Sequence, residues 1–478
     1  MEQENVEENK KRNFIDKLFK LKEHGTNIKT EIIAGVTSFM TMAYIIVVNP
    51  AILSNPFGAN QNFNAVLFST VLISFVMTVV MGIISNNPYA VAPGMGLNAY
   101  ISFSLVGGGI LTYEEMMGAI IIAGALLTIM SLTPISGGVL KAIPKSLRLG
   151  LAAGIGLFLV LIGFQGAGIV VDDGATLVAM GPVNLTFGLF FFGLILTAVL
   201  LIKKVRGAFL IGIVATSILG GLFSIGGWAE AFIDPTFNSI ELGLGDFIPT
   251  LPDTSLFGKF DLMVITRPIL IIPIFTLAFT DLFDSVSTFI GVSEVGGLVD
   301  ENGNPIRFQR TLIADSMTTM VSGFFGTSDA TTYIESASGV EQGGRTGLTA
   351  IITGLCFVPF MFFSPLLAVI PGYATAPILV LLGVLMFKPL SSIDWSNFEE
   401  SIPAFAALVI IPFTYSITWG IVIAIILYVF IKLISGKGKE INAWLWLTFV
   451  FALFALLAPF IETLIYRLIA WINTLIIF

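Results

Sequence analysis

Fourteen apolar runs follow one another along this chain and leave little that water could dissolve. They fall at about residues 31–53, 64–84, 89–108, 115–133, 148–171, 181–202, 207–226, 268–292, 310–325, 329–342, 347–366, 372–388, 402–418 and 419–434. A bilayer is spanned by about 20 apolar residues in a helix, so runs of this length with short connections predict membrane crossings. Composition agrees, with 56% of the 478 residues hydrophobic and 11% charged, a balance that no soluble domain of this size presents to water. The alternating ten-residue segments of an outer-membrane barrel do not occur. The expected fold class is an all-α polytopic membrane protein with 14 transmembrane segments.

The formal charge of −8 says less than where the charges fall. If the N-terminus is cytoplasmic, the inward connections carry Lys141, Lys145 and Arg148, then Lys203, Lys204 and Arg206, then Arg307 and Arg310, Arg345, Lys388, and finally Lys432, Lys437 and Lys439. The outward ones carry Glu114 and Glu115, Asp172 and Asp173, and an acidic segment over 227–265. This is the positive-inside pattern, with Lys259 and Arg267 as exceptions, and it predicts a multi-pass protein of the cell (inner) membrane. The first 30 residues interleave Lys10, Lys11, Arg12, Lys17, Lys20 and Lys22 with Phe14, Ile15, Leu18 and Phe19, as a cytosolic amphipathic segment would, and carry no h-region of a cleaved signal. Beyond residue 435 a hydrophobic extension, 436–478, is broken by Pro459 and charged at Glu462 and Arg467.

Several chemistries are excluded by residues the chain lacks. Cys356 is its one cysteine and His24, ahead of the first run, its one histidine. No internal disulfide, His/Cys metal site or intramembrane histidine base can be built, so neither a metal nor another cofactor is expected. An intramembrane enzyme is left without a nucleophile–base pair. Asn302-Gly303-Asn304-Pro305 reads as a turn between charged residues.

An internal echo is more informative. Shifting Gly94-Met95-Gly96-Leu97-Asn98-Ala99-Tyr100-Ile101-Ser102 by 233 residues sets Tyr100-Ile101 on Tyr333-Ile334 and Ser102 on Glu335. The two segments belong to the third and tenth runs, seven apart, so equivalent halves would have opposite topology. Inverted seven-span repeats place a substrate at the midplane between interrupted helices. Both segments hold helix breakers, Pro93, Gly94 and Gly96 in one and Gly323 and Gly326 ahead of the other.

Carboxylates within the apolar runs add a second constraint. On insertion scales each costs about 2.5–3.5 kcal/mol at a helix centre, so each needs a partner, a proton or a task. Asp281 and Asp284, three residues apart in the eighth run, share a helix face. Glu335 lies in the tenth run, with Asp329 near its start. No lysine or arginine in these stretches is placed to neutralise them, which leaves protons, sodium ions or a hydrogen-bond-donating substrate. For Asp284 and Asp329, helix capping or bonds to nearby Ser and Thr weigh equally with a direct role. A purine base suits the set: guanine offers N1–H and an amino group to a carboxylate, hypoxanthine N1–H alone, and an amide such as Asn98 reads a second edge. Gly94 and Gly96 allow close backbone approach to a flat ring, and a second carboxylate can take a coupled proton.

The runs Phe39-Met40-Thr41-Met42-Ala43-Tyr44-Ile45-Ile46-Val47-Val48-Asn49-Pro50, Pro93 to Tyr100, Asp281-Leu282-Phe283-Asp284, Thr332-Tyr333-Ile334-Glu335-Ser336 and Gly343-Gly344-Arg345-Thr346-Gly347 resemble the hypoxanthine/adenine/guanine permease branch of the nucleobase cation symporters, over residues 27 to 440. The resemblance implies fourteen spans as two inverted sevens, with short extended segments in spans 3 and 10. It implies a core domain (31–146 and 266–370) that moves as an elevator against a gate domain (147–226 and 371–435), flanked by the N-terminal segment 1–30, the extracellular loop 227–265 and the extension 436–478. It further implies substrate binding by Glu335, Asp281, Asn98 and Gly96, a role for Asp284, and a homodimer; Thr332 is expected to join the binding set, and Asp284, Asp281 and Asp329 are the candidates for proton coupling. Asp329 departs from that family, whose members usually have threonine or another small residue there. The expected function is import of hypoxanthine, guanine or adenine with protons, with no nucleic-acid partner; uracil or xanthine on the same fold, and sodium coupling, stay open. An inorganic anion would want helix N-termini without midplane acids.

Overall fold

The computed structural model describes residues 14–55, 58–133, 144–225, 248–267, 271–300, 305–443, 445–450, 452–453 and 456–457. The expectations for residues 1–13, Lys141, the acidic stretch 227–247, the turn at Asn302-Gly303-Asn304 and the tail 458–478 lie outside the described residues.

The chain is a helical polytopic membrane protein. Its main helices are α1 (Ile28–Met42), α2 (Ile45–Leu53), α3 (Phe63–Ser85), α4 (Met95–Ala99, running on as a π-helical turn over Tyr100–Val106), α5 (Tyr113–Leu132), α6 (Lys145–Gly166), α7 (Leu185–Ile202), α8 (Ala208–Ile225), α9 (Ile271–Gly296), α10 (Phe308–Phe325), α11 (Ser336–Glu341), α12 (Gly347–Phe357), α13 (Gly372–Phe387), α14 (Phe398–Thr414) and α15 (Ile417–Ile434). Eight segments of described helix are long and apolar enough to cross a bilayer, α1 and α2 together counting as one, and three shorter apolar helices join them. Their outer faces carry bare apolar side chains such as Ile129, Ile195, Ile218, Val384 and Phe413, a belt that only lipid accommodates.

Local signals start and stop these helices. The side chains of Asn27, Asn62, Asn184 and Ser416 accept first-turn backbone N–H groups of α1, α3, α7 and α15. Thr112 and Glu115 form a reciprocal capping box at the start of α5. Asn86 ends α3 and Gly326 ends α10, both in the left-handed region, at φ 50° and 74°. Helix α3 crosses α12 backbone to backbone: a Cβ on Gly347 would lie 1.9 Å from the Gly82 carbonyl, so only glycine permits that approach.

The helices gather into two groups. In one, α5 packs on α9 and α10, α3 on α2, α10 and α12, and α1 on α11 and α12. In the other, α6 packs on α13, α14 and α15, and α7 on α8 and α13. Contacts between the groups are sparse and run through α4 on α6, α9 on α15, α1 on α8 and α2 on α13.

Two pairs of short strands interrupt the helices. β1 (Val91–Pro93) pairs antiparallel with β4 (Ala330–Thr332), with Ala92 opposite Thr331. β2 (Val170–Asp173) and β3 (Leu177–Met180) form a hairpin after α6. That helix stops at Gly166, where the apolar pattern predicted continuation to 171, because Gly168 adopts φ 67° and turns the chain. The echo at a shift of 233 is not a structural equivalence. Tyr333 directly follows β4, whereas Tyr100 opens the π-helical turn beyond α4, well past β1. The two strands start 239 residues apart, at Val91 and Ala330.

Part of the amphipathic N-terminus is tied down instead of lying free on a surface. Phe19 and Leu21 are buried against Leu348 of α12. One of the two charge exceptions also finds its reason, since Arg267 Nη1 pairs with Glu115 Oε1 at 2.7 Å.

Candidate substrate and coupling site

A two-stranded ladder inside a membrane leaves edge groups that no water can satisfy, and each such group costs several kcal/mol. Side chains from the surrounding helices fill them here. On the β1 side, Thr78 Oγ1 of α3 donates to the Val91 carbonyl and accepts from its N–H, both at 2.9 Å, and Ser336 Oγ accepts from Ala90 N at 2.9 Å. On the β4 side, Thr319 Oγ1 of α10 reaches the Ala330 carbonyl at 3.2 Å and Asp315 Oδ1 accepts from Thr332 N at 2.9 Å. The ladder extends at both ends, with Gly94 N donating to Asp329 O at 2.8 Å and Tyr333 N to Ala90 O at 2.9 Å. Tyr333 Oη also donates to the Pro93 carbonyl.

Around this crossing stand five acidic residues, and their surroundings divide them. Asp315, on α10, is fully engaged: it accepts from Thr332 N and Oγ1, the latter at 2.7 Å, and from Ser285 Oγ of α9. Glu335 is half-buried and its Oε1 accepts from Tyr44 Oη at 2.6 Å. Asp281 is 1% exposed; Thr319 Oγ1 donates to its Oδ2 at 2.5 Å, while its Oδ1 has no partner among the described residues. Asp329 is equally buried, and neither of its oxygens has one. Asp284 is exposed into a cleft of about 80 Å³ between the two helix groups. It is also the shared electrostatic neighbour of Asp281, Asp315, Asp329 and Glu335.

The remaining expected residues are placed as follows. Asn98 is fully buried; its Nδ2 donates to Asn49 Oδ1 at 2.9 Å and its Oδ1 is unpartnered among the described residues. Asn49, from the Tyr44–Pro50 motif, is a hub, since its Nδ2 also donates to Thr70 Oγ1 at 2.7 Å and Thr327 Oγ1 at 3.0 Å. Thr332 has both its donors on Asp315. Gly96 lies against α6, where a Cβ would come 2.5 Å from Ile155 Cγ2, so its lack of a side chain serves the contact between the helix groups. The third-span segment touches the second group twice more, through Tyr100 Oη with Thr418 Oγ1 and Ser104 Oγ donating to Tyr415 O.

Two residues escaped the sequence reading. Asp315 satisfies the same test that singled out Asp281, a carboxylate inside an apolar run, and could have been found by it. Arg148 was counted as a loop cation, yet it lines the cleft with Asp284, together with Ile155, Phe279, Thr280, Ser287, Met386 and Ile417. The expectation that no basic residue approaches the intramembrane acids is corrected on this point: Arg148 lies in the first turn of α6, and the helix, not the loop, carries it to the cleft. Asp281 and Asp284, expected on one face, differ in setting, one sealed and the other open to the cleft.

Many apolar helices, two crossed half-strands and buried acids at their junction define a membrane permease, not an enzyme. Residues 29–417 match the model of the Permease family, and the chain belongs to that family. Its relatives include adenine permease AdeQ of Escherichia coli (strain K12), 40% identical over 92% of this chain and 95% of that one. The guanine/hypoxanthine permease PbuO of Bacillus subtilis (strain 168) is 38% identical over 93% of this chain and all of the other. The transmembrane domain of a cyanobacterial bicarbonate transporter, BicA, shares the fold, with a TM-score of 0.60 at 17% identity over 83% of this chain and 97% of that one. The motifs that resemble the hypoxanthine/adenine/guanine permease branch thus sit in a chain whose relatives carry those names.

Proposed function

We propose that this chain imports purine nucleobases, hypoxanthine, guanine or adenine, with protons. The observation that carries the reading is the set of acceptors beside the β1–β4 crossing, Glu335 held on one oxygen by Tyr44 and Asp281 with Oδ1 unpartnered among the described residues. Such acceptors suit a flat heterocycle that brings N–H donors and little charge. The names of relatives at about 40% identity point to the same ligand class.

In this reading Glu335 offers its second oxygen to a ring N–H, Asp281 and Asn98 lie next to the ligand, and one of Asp284, Asp281 and Asp329 takes up the coupled proton. Gly96 and Thr332 act one step back, Gly96 by letting α4 close on α6 and Thr332 by fixing β4 through Asp315. The fourteen apolar runs then form two inverted sevens. The group that includes α1–α5 and α9–α12 is the core, α6–α8 and α13–α15 the gate, and the sparse contacts between them favour an elevator motion of one against the other. The N-terminus is cytoplasmic in the inner membrane and the unit is a homodimer.

The test is uptake of radiolabelled hypoxanthine, guanine, adenine, uracil and sulfate into vesicles holding the purified protein. Purine uptake that collapses with a protonophore is expected. Uptake of uracil alone would move the chain to another nucleobase, sodium dependence would replace the proton, and no purine uptake rejects the reading.

A further inference from the structure

We propose that Asp329 forms a proton site of its own, apart from Glu335, in which its side chain sits as a neutral carboxylic acid and carries a coupled proton. The proposal rests on the transport reading above and names which acid holds the ion.

Asp329 is 1% exposed and has two oxygens that no described donor reaches. Its carbonyl accepts from Gly94 N at 2.8 Å, which holds its backbone at the crossing. One oxygen lies against Gly94, where a Cβ would come within 3.2 Å of Oδ2. Helix α4 starts there, and Asn98 N bonds to the Gly94 carbonyl at 3.0 Å. Asn49 Oδ1 draws the two segments together, accepting from Asn98 Nδ2 at 2.9 Å and from Ser328 Oγ, next to Asp329, at 3.3 Å. Asn98 Oδ1 itself has no partner among the described residues.

The charged groups around Asp329 are acidic on every element that packs there: Asp281 and Asp284 on α9 and Asp315 on α10. The hydroxyls that might have donated are engaged elsewhere, Thr319 with Asp281, and Thr332 and Ser285 with Asp315. An ionised carboxylate without donors, among like charges, in a low dielectric, is the least stable state such a group can take. A single proton removes the conflict, because it neutralises Asp329 and turns one of its oxygens into a donor. A metal ion fits less well, since the described residues hold no group of three His, Cys, Asp or Glu side chains that could bind one. The chemistry balances simply: an O–H bond forms on Asp329 with a proton from water on one side of the membrane and breaks to water on the other.

Infrared difference spectra of the purified full-length protein in lipid, wild type minus Asp329→Asn at neutral pH, should show a carboxylic-acid carbonyl band that Asp329→Glu retains. In vesicles with an imposed gradient of one pH unit, purine accumulation should fall about tenfold in Asp329→Asn, the loss of one coupled proton. No band in the difference spectrum would overturn the proposal, and so would a band with unchanged accumulation, which would make Asp329 a static acid. A sodium requirement in the wild type that Asp329→Asn abolishes would replace the proton by sodium and overturn it as well. Failure of the wild type to move any purine would remove the transport reading, while the infrared measurement would still decide whether Asp329 holds a proton.

Discussion

Glu31 and Asp329 are both withdrawn from water, the first completely and the second to 1% exposure, yet they are opposites in what meets them. Glu31, on α1, accepts from Arg345 N at 2.9 Å, Thr346 Oγ1 at 2.8 Å, and Thr349 N and Oγ1 at 3.0 and 2.6 Å, and so caps the start of α12. Asp329 has no donor among the described residues. In the second helix group, too, a buried charge is fully met, where Lys432 is ringed by Glu399, Glu400 and Glu440 at 3.2, 3.5 and 2.9 Å. A buried acid with every lone pair answered is part of the scaffold; one left with acceptors to spare, beside broken helices, is in the proposed reading the one that meets a ligand or a proton.

Exchanging these roles by mutation is the sharpest way to break the comparison. Glu31→Ala strands four donors at once, and thermal or denaturant unfolding should show a loss of at least about 3 kcal/mol, since each bond to a charged group is worth roughly 1.5–3 kcal/mol. Asp281→Asn, in contrast, should leave unfolding within about 1 kcal/mol of wild type while abolishing uptake. If Asp281→Asn unfolds as readily as Glu31→Ala, the division is wrong.

Glu335→Gln should weaken purine binding by about tenfold or more, through loss of a charge-assisted bond worth some 1.4 kcal/mol or above, with membrane insertion intact. Wild-type affinity in a titration of that variant would make Glu335 structural. Gly96→Ala drives a methyl into Ile155 at the contact between the helix groups, at a cost of about 1–3 kcal/mol. Uptake should slow more than binding weakens, and Ile155→Ala in the same chain should restore part of the rate.

The smallest effect concerns pH, away from the membrane. Burial, then Arg307, whose Nη2 lies 2.6 Å from His24 Nε2, holds the His24 imidazole below its usual value. The folded chain therefore binds that proton less readily than the unfolded one, and the contribution is present above about pH 6.5 and lost as pH falls through the depressed value. Melting temperatures measured between pH 7 and 5 should drop slightly less in His24→Gln than in wild type.

What was legible in the sequence follows from how each signal is written. Apolar runs report their own length, so α3, α5, α7 and α8 fall where the runs predicted them. The helix breakers at Pro93–Gly96 and Gly323–Gly326 marked the interruptions in the third and tenth apolar runs, but a three-residue strand has no periodicity, so the pairing of Val91 with Thr332 left no signal in the sequence. Acids in apolar runs were visible one by one; which are satisfied was not, because the donors to Asp315 and Glu31 come from distant Thr and Ser residues. Arg148 was hidden for a similar reason, since charge at a helix end looks the same in sequence whether it faces water or a cleft.

The central claim is that unanswered acceptors beside the strand crossing await a purine, and thermal unfolding of the purified protein with and without hypoxanthine, guanine or adenine tests it directly. The account predicts that a purine raises the melting temperature of the wild type, that Glu335→Gln and Asp281→Asn melt like the ligand-free wild type, and that both respond to the purine less than the wild type does. An equal shift in wild type and both variants would contradict it.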